Sequence, residues 1–451
     1  MNDCLRAGFA SRDITPPPGG MMDGFAARAG AAVGTCDPLF VKSAFFSDGQ
    51  RRHLILSFDL CGANEELAIE IIKGVCGRSN LPRQSVSLAF THTHSGPACG
   101  LLKGIPFDAA YWKKLADLAA ECAEEAIRGA FDVRIAVTRG ELGFPVNRRE
   151  LKDRKIILGE TDRGYVDKSA RVLCVYRVPD TDVPPAGVIA HASCHPTCLD
   201  GGNLFYSADY PGAFYKEITK AYPESTAVFI NGGAGDVAPS RQVSETGFDH
   251  ANRCGGELAG AVLNAARGIA GTRFPGKPAV ESALGYACVS YRPLPSLAGL
   301  KSELSIRLAA FEAASAPGKP EYEKYIAGRY FKWYENAVRR KEAGEERPQK
   351  SVPVQVLKLC GQIIFIMLPF EVFSSTTEKL VNSAQSAGYD PNCVFVCGYA
   401  NGVYGYLSPG YALAEGGYEA EDSYYWYDLP GPYTGESEEE VIKTAERLLR
   451  I

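Results

Sequence analysis

No stretch of the 451-residue sequence runs to eighteen uninterrupted apolar residues, so no membrane-crossing helix is expected. The N-terminus, Met1-Asn-Asp-Cys-Leu-Arg6, lacks the apolar core of a signal peptide before Asp13, and the expected location is cytoplasmic. Basic blocks are missing too; with a net charge of −5, nothing points to a nucleic-acid partner. The fourteen cysteines form no disulfide framework. They are scattered, and Cys174, Cys288, Cys360 and Cys393 lie in apolar, strand-like runs, as reduced buried thiols do. Cys194-His-Pro-Thr-Cys198 is closely spaced, but no second pair of zinc-ribbon type accompanies it. No solenoid-type repeat and no linker between two cores can be found. With 46% hydrophobic residues the chain can bury a large core. The expected fold is α/β: a single large domain, 1–451, of mixed β-sheets flanked by helices, with a helical hairpin inserted at about 299–345.

What is present centres on His92 and His94, in Ser85-Val-Ser-Leu-Ala-Phe-Thr-His-Thr-His-Ser-Gly-Pro97. Ser85 to Phe90 is short, apolar and β-prone, and reads as a buried strand. A period of two would point His92 and His94 the same way, and Gly96-Pro97 then turns the chain. Two imidazoles at the end of a core strand can begin a metal site, or be a hydrogen-bonded surface pair. Further ligands decide between them.

Residues 8–24 read as a rigid Pro/Gly-rich loop. His53 to Leu60 reads as a strand whose Asp59 approaches the same edge as the histidines, with a helix from Asn64 to Lys73. Asp108 to Ala130 is an amphipathic helix, and strands are expected at 134–142, 171–178 and 187–194. Asn147-Arg148-Arg149 reads as a solvated basic turn. Of the next two histidines, His191 sits inside an apolar run and suits the core. His195, followed by Pro196, belongs to the exit loop and is the better ligand candidate. Thr226 to Ile230 is a strand ending in the glycine-rich Asn231-Gly-Gly-Ala-Gly-Asp-Val-Ala-Pro239. That turn lacks the Lys-Ser/Thr of a P-loop, and reads as a close backbone approach to a ligand, with amides as donors. A helix is expected over 250–271 and a hairpin over Val354 to Pro369, with Glu371 at the start of a following helix. The last strand, Asn392 to Ala400, leads into a long tyrosine-laden loop that suggests a functional lining or lid. Ser437 to Ile451 closes the chain as a helix.

Taken together, the motifs resemble the neutral ceramidase family, zinc-dependent hydrolases of an N-acyl amide. The matches are Asp13-Ile-Thr with Gly20-Met-Met-Asp-Gly24, Thr91-His-Thr-His-Ser-Gly-Pro97, Asn147-Arg148, His195-Pro-Thr and Ser207-Ala-Asp-Tyr-Pro-Gly212. Further on they are Asn231 through Pro239, Pro369-Phe-Glu371, and Tyr399-Ala-Asn401 through Tyr406 and Tyr418. They follow family order and span nearly the whole chain. The resemblance implies one zinc held by His92, His94, His195, Glu371 and Tyr406. It implies that Tyr418 hydrogen-bonds substrate or intermediate, that Arg148 takes a catalytic position, and that Gly20 lines the pocket with its backbone. Asn231, Gly235, Asp236 and Ala238 become the substrate-binding candidates.

Two departures stand out. The family serine before proline in the glycine-rich turn is Ala238 here. The chain also ends where family members continue into an immunoglobulin-like domain, so no such C-terminal domain is expected. The resemblance implies metal-activated water attack on a small-molecule acyl amide, with the natural substrate not fixed as ceramide. Ala238 favours water over serine as nucleophile. A zinc esterase or lactonase, and a metal-containing binding protein without turnover, remain the alternatives.

Overall fold

Leu54, Ile55 and Leu56 alternate between two cores. Leu54 and Leu56 join the apolar cluster shared with the helices Glu65–Ser79 and Ala109–Arg128, while Ile55 joins a cluster on the opposite face. Successive strand side chains point to opposite faces, so a strand apolar at every position must be covered on both sides. The computed structural model describes residues 4–179, 184–241, 246–268 and 277–450. Its architecture follows from that pattern. Helices cover one face of an eight-stranded sheet, whose other face packs on a four-stranded sheet. The far side of that second sheet carries the helices Ser374–Ser386 and Gly435–Leu449. The fold is mixed α/β, as expected.

In order across the large sheet run Thr226–Asn231, Gly187–Ala192, Ser169–Arg177, Phe131–Glu141, Leu5–Asp13, Phe40–Ser47, Arg52–Phe58 and Val86–Phe90. The pairing is antiparallel except at the two margins, where Gly187–Ala192 lies parallel to Thr226–Asn231 and Arg52–Phe58 parallel to Val86–Phe90. The smaller sheet runs Val280–Ser290, Gln349–Leu359, Ile363–Met367, Val394–Cys397, and only its last pair is parallel. These three parallel pairs matter for function, because the loops leaving their C-terminal ends carry most of the candidate residues, Arg148 and Gly20 excepted. That is where open α/β sheets place their ligands. Between the large sheet's outer strands, Asn231 Nδ2 donates to the Thr91 carbonyl at 3.0 Å, joining the two margins there.

The structure corrects several expectations. Residues 8–24 are not loop throughout: Leu5–Asp13 is a strand with Leu5, Ala7 and Ala10 buried, and the loop begins after it. Asn147-Arg148-Arg149 is no turn but part of the strand Pro145–Lys152. The turn lies beyond it at Asp153 and Arg154, both with left-handed φ, before Lys155–Thr161. Glu371 does not open a helix. It sits in a two-residue strand, Glu371–Val372, and the helix starts at Ser374. The helix expected over 250–271 runs Gly247–Gly268, and 269–271 lie outside the described residues. The inserted hairpin is Leu297–Ala314 and Glu321–Glu342, and its Trp333 packs edge-on to Tyr425 at 4.9 Å.

Candidate metal centre

The histidine pair forms by a different route from strand alternation. The strand stops at Phe90, and His92 takes a left-handed φ of 69° while its amide donates to the Leu60 carbonyl at 2.9 Å. A non-glycine residue there is strained, and such strain persists only where the surroundings enforce it. Tyr399 stacks on the ring at 4.1 Å, itself at φ 51°. This turn, and not the period of two, brings His94 Nε2 to 3.1 Å from His92 Nε2.

Carbonyl neighbours define the tautomers. His92 Nδ1 lies 2.5 Å from the Cys61 carbonyl, and His195 Nδ1 lies 2.6 Å from that of Ala234 and 3.1 Å from that of Val237. Carbonyl oxygens only accept, so both Nδ1 atoms carry protons and both Nε2 atoms present lone pairs. Those lone pairs converge on one carboxylate oxygen: Glu371 Oε2 is 3.3 Å from His92 Nε2 and 3.1 Å from His195 Nε2. Without a cation among them, three electron-rich atoms would repel one another in a buried site, relieved only where the Arg148 guanidinium faces His195 Nε2. The ligand atoms of His92, His195 and Glu371 all lie within 4.8 Å of one another, and the residues present fit a metal ion. Protonation agrees. Burial, then neighbouring His92 and His195, holds His94 well below the ordinary histidine value. Burial and Arg148 push His195 down to about 4. Burial alone would raise Glu371, and only positive charge at the His92 and His195 positions, which a bound cation would supply in place of imidazolium protons, holds its carboxyl well below the usual range. Neutral imidazoles and an ionised carboxylate are what zinc takes.

Around this group the outer contacts are dense. The Tyr427 hydroxyl donates to Glu371 Oε1, and the Tyr399 hydroxyl lies 3.5 Å from Oε2. Glu371 pairs in register with Tyr406, in a parallel ladder of Glu371–Val372 with Tyr406–Leu407. Arg148 spans the rest. Its Nη2 donates to the Tyr406 hydroxyl at 2.9 Å, its Nη1 faces His195 Nε2 at 3.2 Å, and its Nε donates to Glu419 Oε1 at 2.9 Å. Burial disfavours its charge, but Tyr406, Glu419 and Glu371 hold its pKa above the usual arginine value. Arg149 takes the other oxygen of Glu419 at 2.6 Å, so one buried carboxylate anchors both arginines.

A cavity of about 730 Å³ opens in front of the group. His94, Arg148, Tyr406, Tyr418 and Ala238 reach its wall, and Phe25, Leu102, Ile326 and Trp426 give it an apolar side. Gly24, at φ 101°, lies so close to His94 that an added Cβ would fall 2.4 Å from the ring. Burial raises the Tyr418 phenol above its ordinary value, leaving it a neutral donor.

Not every sequence candidate reaches this cavity. Gly20 is exposed, accepts from the Ala32 amide through its carbonyl, and is not among the lining residues; Gly24 takes that place. Asn231, Gly235 and Asp236 brace the fold. Besides Thr91, Asn231 Nδ2 reaches the Cys194 carbonyl at 3.2 Å. Asp236 accepts from Ser374 and from Asn147 Nδ2. The Gly235 amide donates to Val372 at 2.8 Å, and a Cβ there would meet the Glu371 and Val372 carbonyls at 3.0 Å. The glycine-rich turn is thus a close approach to the chain's own backbone, and neither the Gly232 nor the Gly235 amide is free for a ligand. Asp59 turns away from the histidines, accepting from the Phe40 amide and the Tyr215 hydroxyl. His191 sits in the core, its Nε2 donating to the Val396 carbonyl at 2.9 Å. Sequence reasoning missed Tyr427, Arg149 and Glu419. Tyr427 was one of many tyrosines, and nothing in a single sequence marks a buried acid such as Glu419.

No family model matches the sequence. Solved structures do match the fold. A neutral ceramidase from Pseudomonas aeruginosa superposes with a TM-score of 0.73 at 16% identity, over 100% of this chain and 75% of that one. The chain has the neutral ceramidase fold. A ceramidase complexed with C2 gives a TM-score of 0.76 at 16% identity, covering 99% of this chain and 75% of the other. Among the described residues, no helix is long and apolar enough to cross a membrane.

Proposed function

We propose that the protein is a zinc-dependent hydrolase of an N-acyl amide bond, acting by attack of water on a small acyl-amide substrate. The observation that carries this reading is the convergence of the His92 and His195 lone pairs on Glu371 Oε2 behind the cavity. The ceramidase fold supports an amide as the bond class. His92, His94, His195 and Glu371 would hold the ion, with Tyr406 beside them. When bound, a zinc ion supplies Lewis acidity toward a carbonyl and lowers the pKa of water to about 7.

The chain's own residues do the rest. The apolar side of the cavity suits an acyl chain. Arg148, fixed by Glu419, and the neutral Tyr418 phenol supply donors toward charge developing on the carbonyl oxygen. Ala238 offers no hydroxyl at the cavity wall, which favours water over a serine nucleophile.

Elemental analysis of metal-replete protein should give zinc. His94→Ala should lower its content far more than His191→Ala, because His191 serves the core. No transition metal in wild type, or equal losses in the two variants, would end the metal reading. A panel of matched N-acyl and O-acyl chromogenic substrates then tests the bond class, with turnover confined to esters counting against an amidase.

A further inference from the structure

Cys198 lies three residues beyond His195, on the loop leaving the strand Gly187–Ala192. On the helix Gly247–Gly268, His250 and Cys254 stand four residues apart, and so on one face. The fold brings the three together: their ligand atoms all lie within 4.8 Å of one another, and all three residues are buried. Cys198 and Cys254 contact thiol to thiol, and His250 hydrogen-bonds Cys254. The Cys198 loop is held for this position by the Asp209 carboxylate, which accepts the Leu199 amide at 2.9 Å.

Two buried thiols alone would be unremarkable, since a free cysteine packs as a small hydrophobe. The imidazole changes that reading. His250 is 3% exposed, and its Nε2 is buried without a hydrogen-bond partner among the described residues. Buried polar atoms are normally satisfied, and leaving one orphaned costs about 1–3 kcal/mol. Soft sulfur with one imidazole is a donor set for zinc-like ions, whereas the centre at Glu371 offers nitrogen and oxygen. The first pair of thiol ligands is invisible to a search for two Cys-x-x-Cys motifs, because the partners come from a loop and a helix about fifty residues apart.

We propose that Cys198, His250 and Cys254 form a second metal site, for a thiolate-preferring divalent ion of the zinc type. It is separate from the centre at Glu371 and clamps the His195 loop to the helix Gly247–Gly268. This inference stands apart from the hydrolase reading.

Cobalt reconstitution of the full-length, metal-stripped chain tests it, because thiolate-to-cobalt charge transfer absorbs in the near ultraviolet, and loss of the band with Cys198 and Cys254 separates this site from the Cys61 thiol, which lies within 4.8 Å of the His92 and His94 ligand atoms. The band is expected in wild type and in Glu371→Gln, and lost in the Cys198→Ser/Cys254→Ser double variant together with about one metal equivalent per chain. Should that variant not fold, His250→Ala, which leaves Cys61 beside His92 and His94 in place, is expected to weaken the band, and a band unchanged by it would overturn the site. Absence of the band from both wild type and Glu371→Gln would overturn the site. So would an intact mass lower by two hydrogens with Cys198 and Cys254 resistant to alkylation, which would show a disulfide instead. Loss of amidase activity with the band intact would count only against the hydrolase reading.

Discussion

Glu371 and Tyr406 are register partners in a parallel ladder only two residues long. Residues paired directly across such a ladder project to the same side, so one short bridge delivers a carboxylate and a phenol to the same wall. The bridge is fixed on both flanks. The Glu371 amide takes the Gly405 carbonyl at 3.0 Å, and the Gly235 amide takes the Val372 carbonyl. The glycine-rich turn therefore serves the centre indirectly, by bringing backbone against the strand that carries Glu371.

Glu371→Gln should abolish tight metal binding, since it keeps the shape but removes the only carboxylate among the converging ligand atoms of His92, His195 and Glu371. Tyr427→Phe should be milder. Removing the hydroxyl that orients Glu371 Oε1 is expected to weaken metal affinity by about 10–100-fold, as losses of ligand-orienting partners do. Competition with a metal chelator of known affinity measures both. An unchanged affinity for Tyr427→Phe would mean that Tyr399 and the backbone alone position the carboxylate.

Glu419 anchors Arg148 and Arg149 from a fully buried position, whereas Glu415 reaches Arg149 from a side chain 49% exposed. Breaking a buried pair leaves uncompensated charge and costs about 3–5 kcal/mol, while an exposed pair contributes about 0–1 kcal/mol. Glu419→Gln should therefore destabilise the protein severely and Glu415→Gln hardly at all, read from denaturant midpoints. Similar small effects in both would show that the arginines find other partners.

The alternating and continuous apolar runs made most strands and the α/β class legible, because burial on one or both faces leaves a period that a single sequence displays. The His-Thr-His-Ser-Gly-Pro stretch was legible as a possible ligand pair, though for the wrong geometric reason: a strained turn at His92 does what strand alternation was expected to do. Arg148 was misread as lying in a solvated turn. Its charge is balanced by Glu419, 271 positions away, and no local pattern reveals such a partner. Gly20, Asn231, Gly235 and Asp236 show the opposite error. Residue types that suit ligand contact serve equally well to let backbone segments meet, and only packing tells the two uses apart.

Asp59 gives the fold a pH dependence of its own. Burial pushes its carboxyl up to about 7, against the lowering pull of Lys42, the Phe40 amide and the Tyr215 hydroxyl. A carboxyl whose folded pKa exceeds the unfolded one binds its proton more tightly in the folded state. Its contribution is therefore fully present below the ordinary value of 3.8 and is lost as pH rises through about 7. Asp59→Asn cannot ionise, so its stability relative to wild type should rise across that window and level off above it. Any constant offset from altered hydrogen bonds leaves this slope untouched. A difference in unfolding free energy that stayed flat from pH 4 to about 8 would place the Asp59 titration outside that window.

The remaining prediction concerns the cavity wall, where Ala238 and Tyr418 both stand. With the Gly232 and Gly235 amides already donating to Ala192 and Val372, they are not free to stabilise an oxyanion. That work falls to Tyr418 and Arg148, and Tyr418 can do it because burial keeps its phenol protonated. Losing one such donor typically costs about 10²–10³ in kcat. Tyr418→Phe is expected to show a loss of that size on whichever acyl substrate is turned over, with metal content unchanged, since its hydroxyl is not in the proposed ligand set. Ala238→Ser should alter the rate only modestly, because water attack has no use for a second nucleophile. Full activity in Tyr418→Phe would remove the phenol from the mechanism. Turnover switched on by Ala238→Ser in an otherwise inert wild type would show that the fold works through serine, and that this chain, holding alanine, binds its ligand without hydrolysing it.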